Sequence, residues 1–548
     1  MESAEPVAAM DDGIAPIVPP VSDEPASRQA IGRLQGVLGA AAIVMSGFVA
    51  SKLLGLVRNI VISHQFGASR EYEHFLAAIS VPDTVFQVLA GGTVSAAFIP
   101  VFAGYLAQRQ ESSAWRLMSG LTNIAVLAIG AIALLLAIAA PALTGLLVPG
   151  WTPAEQQEVA RLARIMMISP VIFAVSALIT SVLNGAKRFA LAAAAPLMYN
   201  LSLIGGALFL RERGAEGLAY AAVLGALLHL AVQLPGLARI GARYTPTLAL
   251  ELSGTREVGR LMVPRVLTLG VSQLNLLVNV ALASFLGEGS VAYLNYAWLL
   301  LMVPLGVFGM GMATAAFPTL AEQGAQNRTE DQRQTFLFAF RLILYLTIPA
   351  AVGLVVLGYP IVALLLQRGA FEAQATWATS FALAWYAVGL PGHATIEIVD
   401  RLFYAHHDTA TPLRMAAIGA TANIVMSLLL MRTELSFGGL ALANSLAALT
   451  EASLLVIALH RRLGWIRLGA LLPFAWRVGI AASVMGAAAA LLYALVAPHV
   501  DFLHWTGQLA VLGTVAGAAV ILYGGMSLAL GVEDVRRISA LFRQRLSR

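Results

Sequence analysis

The sequence predicts an all-α polytopic membrane protein of about fourteen transmembrane helices, arranged as two parallel-repeat six-helix lobes plus two C-terminal helices. Three observations predict it. Of 548 residues, 59% are hydrophobic and only 11% are charged, whereas a soluble domain carries about 25% charged residues; mean hydropathy is +0.80. The apolar residues are gathered into long runs. Leu117–Pro149 and Phe502–Val532 contain no Asp, Glu, Lys or Arg, and each exceeds the roughly 20 residues that cross the hydrocarbon core. Barrel strands are about 10 residues long with alternating polarity, so runs apolar all round exclude them. Lastly, the chain partly repeats itself at an offset of roughly 220 residues, as transporters do.

Composition also removes whole classes of chemistry. There are no cysteines, hence no disulfide, Cys-ligated zinc, iron–sulfur cluster or thiol catalysis. No phosphate-binding P-loop is present. His406 and His407 are adjacent, so they do not share a helix face and do not read as a metal pair. No metal, cofactor or catalytic residue is expected. The net charge of +5 belongs to membrane topology, where Lys and Arg mark cytoplasmic loops.

Residues 1–35, with Glu2, Glu5, Asp11, Asp12, Asp23 and Glu24, read as a disordered cytoplasmic tail; no basic region precedes an apolar core as in a signal peptide. Residues 36–240 form the N-terminal lobe, with spans at 36–63, 74–106, 115–147, 159–184, 190–210 and 215–238. A cytoplasmic linker follows at 241–256. Residues 257–462 form the C-terminal lobe, with spans at 258–286, 291–321, 335–366, 376–405, 411–431 and 437–459. Two additional helices, 472–497 and 504–531, occupy 463–531, and 532–548 is a basic cytoplasmic tail. Pro82, Gly91 and Gly92 allow the second span to break.

Alternate loops are basic: Arg109 and Arg116; Lys187 and Arg188; Arg239, Arg243 and Arg256; Arg328 and Arg333; Arg461, Arg462 and Arg467. Val148–Glu158 and Pro498–Trp505 have no Lys or Arg. The positive-inside rule then places both termini in the cytoplasm. The repeat pairs Val94–Phe98 and Pro100 with Ala313–Phe317 and Pro318, and the turn Leu183–Pro196 with Leu402–Pro412. Six spans per copy means that both copies enter from the same side, so two similar lobes face each other across a path.

Ionisable residues inside spans cost roughly 2.5–3.5 kcal/mol at the bilayer centre, so each must face a cavity, a partner or the interface. Lys52 and Arg58 in the first span are about 120° and about 9 Å apart, which lets them line one broad cationic cavity; snorkelling to the interface is the alternative. Arg265 in the seventh span either completes that cavity from the opposite wall or anchors its helix end. Glu73 and Asp83 flank the start of the second span as possible charge partners, or as interfacial groups. Glu397 and Arg401, four apart, fit an intrahelical ion pair beside Asp400, and Glu451 stands apart as a candidate for ion coupling.

Taken in order, Ser51–Asn59, Phe66–Ala68, Ala96–Pro100, Leu183–Phe189, Gln233–Pro235, Gln367–Phe371 and Arg401–Pro412 resemble the MurJ/MviN lipid II flippases of the multidrug/oligosaccharidyl-lipid/polysaccharide exporter superfamily. The resemblance implies a non-enzymatic, monomeric transporter of the bacterial cytoplasmic membrane. It would move an undecaprenyl-pyrophosphate-linked peptidoglycan precursor from the inner to the outer leaflet by alternating access. It implies that cavity cations hold the pyrophosphate: Arg58 matches a family arginine, Lys52 stands where another is usual, and Glu73 matches an acidic position. Phe86 and Leu299 stand where the family has arginines. The alternative is a divergent paralogue that moves another polyprenyl-linked glycan or regulates without transport. A membrane-embedded glycosyltransferase fits poorly, because the outer loops are short and lack carboxylate clusters.

Overall fold

The computed structural model describes residues 50–90, 93–186, 188–465, 468–499 and 505–532. The expected tails at 1–35 and 532–548 lie, but for Val532, outside the described residues. All regular structure in the described residues is helical. In order the helices are α1 (50–66), α2 (Arg70–Leu89), α3 (Thr93–Ala107), α4 (Glu111–Leu147), α5 (Pro153–Met166), α6 (Ser169–Gly185), α7 (Phe189–Phe209), α8 (Gly214–Ala231) and α9 (Leu234–Arg239). There follow α10 (Ser253–Ala283), α11 (Ser290–Pro304), α12 (Met312–Ala325), α13 (Thr329–Leu366), α14 (Ala373–Val388), α15 (Leu390–Ala405), α16 (Ala410–Leu430), α17 (Phe437–Leu463), α18 (Leu468–Val496) and α19 (Trp505–Ala529).

Ten of these segments are long and apolar enough to cross a membrane. Each overlaps one of the fourteen spans expected from sequence. The other four expected spans are helical where described: the first is described only from residue 50, the second and tenth are each divided between two helices, and the seventh is α10. Span one carries Lys52 and Arg58. Span two is split between α2 and α3, with Gly91 and Gly92 between them; Pro82 sits inside α2. Span seven, α10, has Arg256, Glu257, Arg260 and Arg265 in its first half. Span ten is split into α14 and α15 at Gly389 and carries Glu397, Asp400 and Arg401.

Helix lengths and turns recur at the expected offset. Helices α4 and α13 are 37 and 38 residues long. Each starts just after a residue in the left-handed region, Arg109 (φ 57°) and Asn327 (φ 55°). Gly217 of α8 packs on the Leu210 carbonyl, and Gly439 of α17 packs on the Leu430 carbonyl, with no room for a Cβ at either. A single glycine-dependent crossing is thus built twice. Between α11 and α12 the chain runs as one apolar segment, Ser290–Ala325, through a π-helical stretch at Leu305–Gly311.

The apolar cores follow this order. One cluster joins α2, α3, α4 and α6 through Phe98, Phe102, Trp115 and Leu178. A second runs from Ile62 and Phe66 through α2, α5 and α8 into α11–α17. Helices α18 and α19 form a third with α13, centred on Val478, Ala482 and Val515.

Candidate functional site

Two polar centres lie where α1 and α2 meet the rest of the molecule. The first is a latch at the α1–α2 turn. Ser69 caps α2, its hydroxyl accepting from the Tyr72 N–H at 3.4 Å, and so orients Arg70 and Glu73 on the first turn. The Glu73 side chain is fully buried and accepts from the Val291 N–H at 2.8 Å and from Arg70 Nη1 at 2.9 Å. Val291 opens α11, so the carboxylate meets unpaired N–H groups and the positive end of a helix dipole. The Arg70 N–H donates to Glu288 Oε1 (3.0 Å), and Arg70 Nε lies 3.1 Å from Glu155. A capping box of Thr152 and Glu155 holds that second carboxylate in place.

Four further contacts tie the two halves of the chain at this face. The Ala370 N–H donates to the His64 carbonyl (2.9 Å), and the Tyr296 hydroxyl donates to the Gly67 carbonyl (3.0 Å). The Gly150 N–H donates to Ser284 Oγ (3.1 Å). Tyr72 and Tyr296 stack with ring centroids 5.5 Å apart. Gly67, at φ +61°, leaves no room for a Cβ against the Ala370 carbonyl. Hydrogen bonds to charged groups contribute about 1.5–3 kcal/mol each, so Glu73 and Arg70 dominate the closure.

The second centre is the Arg58 cavity. Arg58 is half-buried, and its Nε is buried without a hydrogen-bond partner. Its charge acts on Tyr72, Asp83 and Tyr199, from α2 and α7. Asp83 lies in the middle of α2. With Ser169, Phe173 and Tyr199 it lines a cavity of about 10 Å³. Lys52, six residues before Arg58 on α1, is exposed. Asn59 is buried beside Arg58 and donates to the Gly55 carbonyl at 2.8 Å.

Among the expected site residues, then, Arg58 and Asp83 come together. Glu73 belongs to the latch, with Arg70 and α11 as its partners. The Arg265 backbone is on α10, but its side chain lies outside the described residues. Phe86 is absorbed into an aromatic stack with Phe173 (5.0 Å), which also meets Tyr199 (5.4 Å) and His229 (5.3 Å). Leu299 is half-buried on α11.

Nothing in the local sequence singles out Arg70, Ser169 or Tyr199. Nor did it flag the buried network of Ser176, His229 and Gln233, in which Gln233 Nε2 donates to Ser176 Oγ (2.6 Å) and Ser176 Oγ meets His229 Nδ1 (2.7 Å). The register set by Gly217 and Gly439 places Glu451 of α17 at the position of His229 in α8. On α15 the Glu397–Arg401 ion pair forms at 2.6 Å, and Arg401 also donates to Thr314 Oγ1 at 3.0 Å. No group of three or more His, Asp or Glu side chains suited to a metal ion occurs among the described residues.

Comparison with known proteins gives a consistent answer. The family described as lipid II flippase MurJ matches residues 62–506. A probable lipid II flippase MurJ of Haemophilus influenzae is 31% identical over 424 residues, 74% of this chain and 82% of that protein. A lipid II flippase MurJ of Burkholderia cenocepacia is 29% identical over 444 residues, 78% and 86% of the two chains. A solved lipid II flippase MurJ in an inward closed conformation shares the fold at TM-score 0.73 and 22% identity, covering 89% of this chain and 99% of its own. An inward-facing multidrug transporter of the MATE family shares it at TM-score 0.64 and 15% identity, covering 76% and 94%.

Proposed function

Since the chain belongs to the lipid II flippase MurJ family, we propose that it carries the lipid-linked peptidoglycan precursor across the inner membrane by alternating access. It is a transporter rather than an enzyme. The two halves, 36–240 and 257–462, act as six-helix lobes joined by the 241–256 linker, with the helices of 463–531 packed outside. The recurrence of the α4 and α13 lengths and of the Gly217 and Gly439 crossings supports this division. The basic turns and both termini are assigned to the cytoplasm, which makes the α1–α2 turn the outer face. The latch then closes the path to the outside.

The observation that carries the mechanism is Arg58: a half-buried guanidinium with an unpartnered Nε, on the helix that leads into the latch. A lipid pyrophosphate would satisfy that donor with a charge-assisted hydrogen bond. Lys52 supplies a second positive charge one and a half turns away, and Arg265 a third from the facing lobe. Substrate charge drawn to Arg58 loosens the latch, the lobes rock, and the headgroup leaves outward while its lipid tail stays in the bilayer. The chain acts as a monomer in this scheme. Neutralising Lys52 and Arg58 together abolishes flipping in a reconstituted assay; unchanged flipping by that double variant removes both from the mechanism.

A second reading is favoured by Phe86 and Leu299, apolar at positions where the family resemblance calls for arginines. On that reading a different polyprenyl-linked glycan is carried. Competition between lipid II and other undecaprenyl-linked glycans in the same assay separates the two.

A further inference from the structure

Close to Arg58 stands a carboxylate that an anion site should repel. Asp83 lies in the middle of α2, and the charge of Arg58 acts on it. An incoming pyrophosphate carries at least two negative charges and competes for the Arg58 guanidinium. Like charges sharing a site do not ionise together at low cost. The conflict is relieved if the carboxylate takes a proton as the anion arrives.

A second observation lies beside Asp83. Ser169 is 6% exposed, and its Oγ has no hydrogen-bond partner. Native proteins rarely leave such a group unsatisfied. Its hydroxyl and Asp83 line one cavity of about 10 Å³, about the space that a single water needs. A protonated carboxyl becomes a donor, and one water in this space can accept from it and donate to Ser169. Among the described residues, the charged and titratable groups facing Asp83 are Arg58 from α1 and Tyr199 from α7. Helices α5, α6 and α8 present Met166, Ser169, Phe173 and Ala222. Helix α10 also packs on α2, and its Arg265 side chain lies outside the described residues.

We propose that Asp83 is a proton-binding site coupled to substrate: ionised and balanced by Arg58 without substrate, it takes up one proton from solvent when a pyrophosphate anion engages Arg58. One O–H bond forms on binding and breaks on release, with no other covalent change. Substrate affinity is then linked to pH through one proton. The proposal rests on the reading of the Arg58 cavity as the pyrophosphate site and adds the ion that moves with it.

The test uses the full chain in lipid nanodiscs with farnesyl pyrophosphate as probe. Titration calorimetry in buffers of different ionisation heat counts the protons taken up. Wild type is expected to take up about one proton more than Asp83→Asn. Its affinity falls by at most about tenfold per pH unit above the Asp83 midpoint, while the variant lacks that dependence. Infrared difference spectra should show a protonated-carboxyl band on probe binding to wild type and none in the variant. Equal proton uptake by wild type and Asp83→Asn, or no carboxyl band in wild type, overturns the proposal. Arg58→Gln separates the two claims. If it binds the probe as well as wild type, the pyrophosphate reading fails and the coupling with it. If Arg58 is required but Asp83→Asn changes nothing, only the coupling fails.

Discussion

Glu73 joins residues 218 positions apart in the chain, through a carboxylate with no exposed surface. Its replacement by Gln keeps one acceptor for the Val291 N–H but ends the ion pair with Arg70. The closed form should lose about 1.5–3 kcal/mol. The absence of native cysteines allows a direct reading: Val291→Cys, buried in the latch, should be labelled slowly by an impermeant maleimide, and at least tenfold faster with Glu73→Gln added. Asp408 makes a different residue-scale prediction. It lies in the turn before α16, accepts from the Ala410 and Thr411 N–H groups (3.0 Å each) and Thr411 Oγ1 (2.7 Å), and pairs with Arg462. Burial alone would push its carboxyl up, but the Thr411 bonds and Arg462 outweigh that and hold it below its ordinary value. Its stabilisation is therefore present above the unfolded value of about 3.9 and is lost as pH falls through the folded one. Wild type should melt above Asp408→Asn at neutral pH, and the gap should close on acidification towards pH 3. Sequence could place Glu73 and Asp83 beside a span. It could not show that one meets a distant backbone N–H and the other Arg58, because side-chain direction and long-range partners depend on tertiary packing.

At the scale of elements, hydropathy reads a helix well only when the helix is solvated by lipid. Ten segments are long and apolar enough to cross a membrane among the described residues, and the spans carrying Asp83 and Asp400 are each divided between two helices. The break between α2 and α3 was legible from Gly91 and Gly92; the split at Gly389 carries a similar mark in Pro391, at the start of α15, but falls inside the one continuous span expected there. The repeated crossing offers a test of the two-lobe division. A methyl group at Gly217 or Gly439 strikes a carbonyl of the neighbouring turn. Overpacking of this kind costs about 1–3 kcal/mol. Gly217→Ala and Gly439→Ala should lower the melting temperature by similar amounts, whereas Gly130→Ala, which meets open space, should leave it unchanged. A loss at one glycine only would argue against equivalent lobes.

On the proposed topology, the same contacts that seal the outer face separate the Arg58 site from it. Alternating access requires that these contacts break together while α18 and α19 stay packed on α13. A cross-link between the latch halves, made by Arg70→Cys with Glu288→Cys, should hold the path shut and stop transport, with recovery on reduction. Transport that continues through the cross-link would place the path elsewhere. The central claim, that this chain moves the peptidoglycan precursor outward, is tested most directly in bacteria depleted of their own flippase and supplied with this protein. Lipid II exposed on the outer leaflet is then measured by an externally added cleaving enzyme. The account predicts that exposure is restored by the wild-type chain and lost with Lys52 and Arg58 neutralised. A well-expressed wild-type chain that leaves lipid II shielded would contradict it.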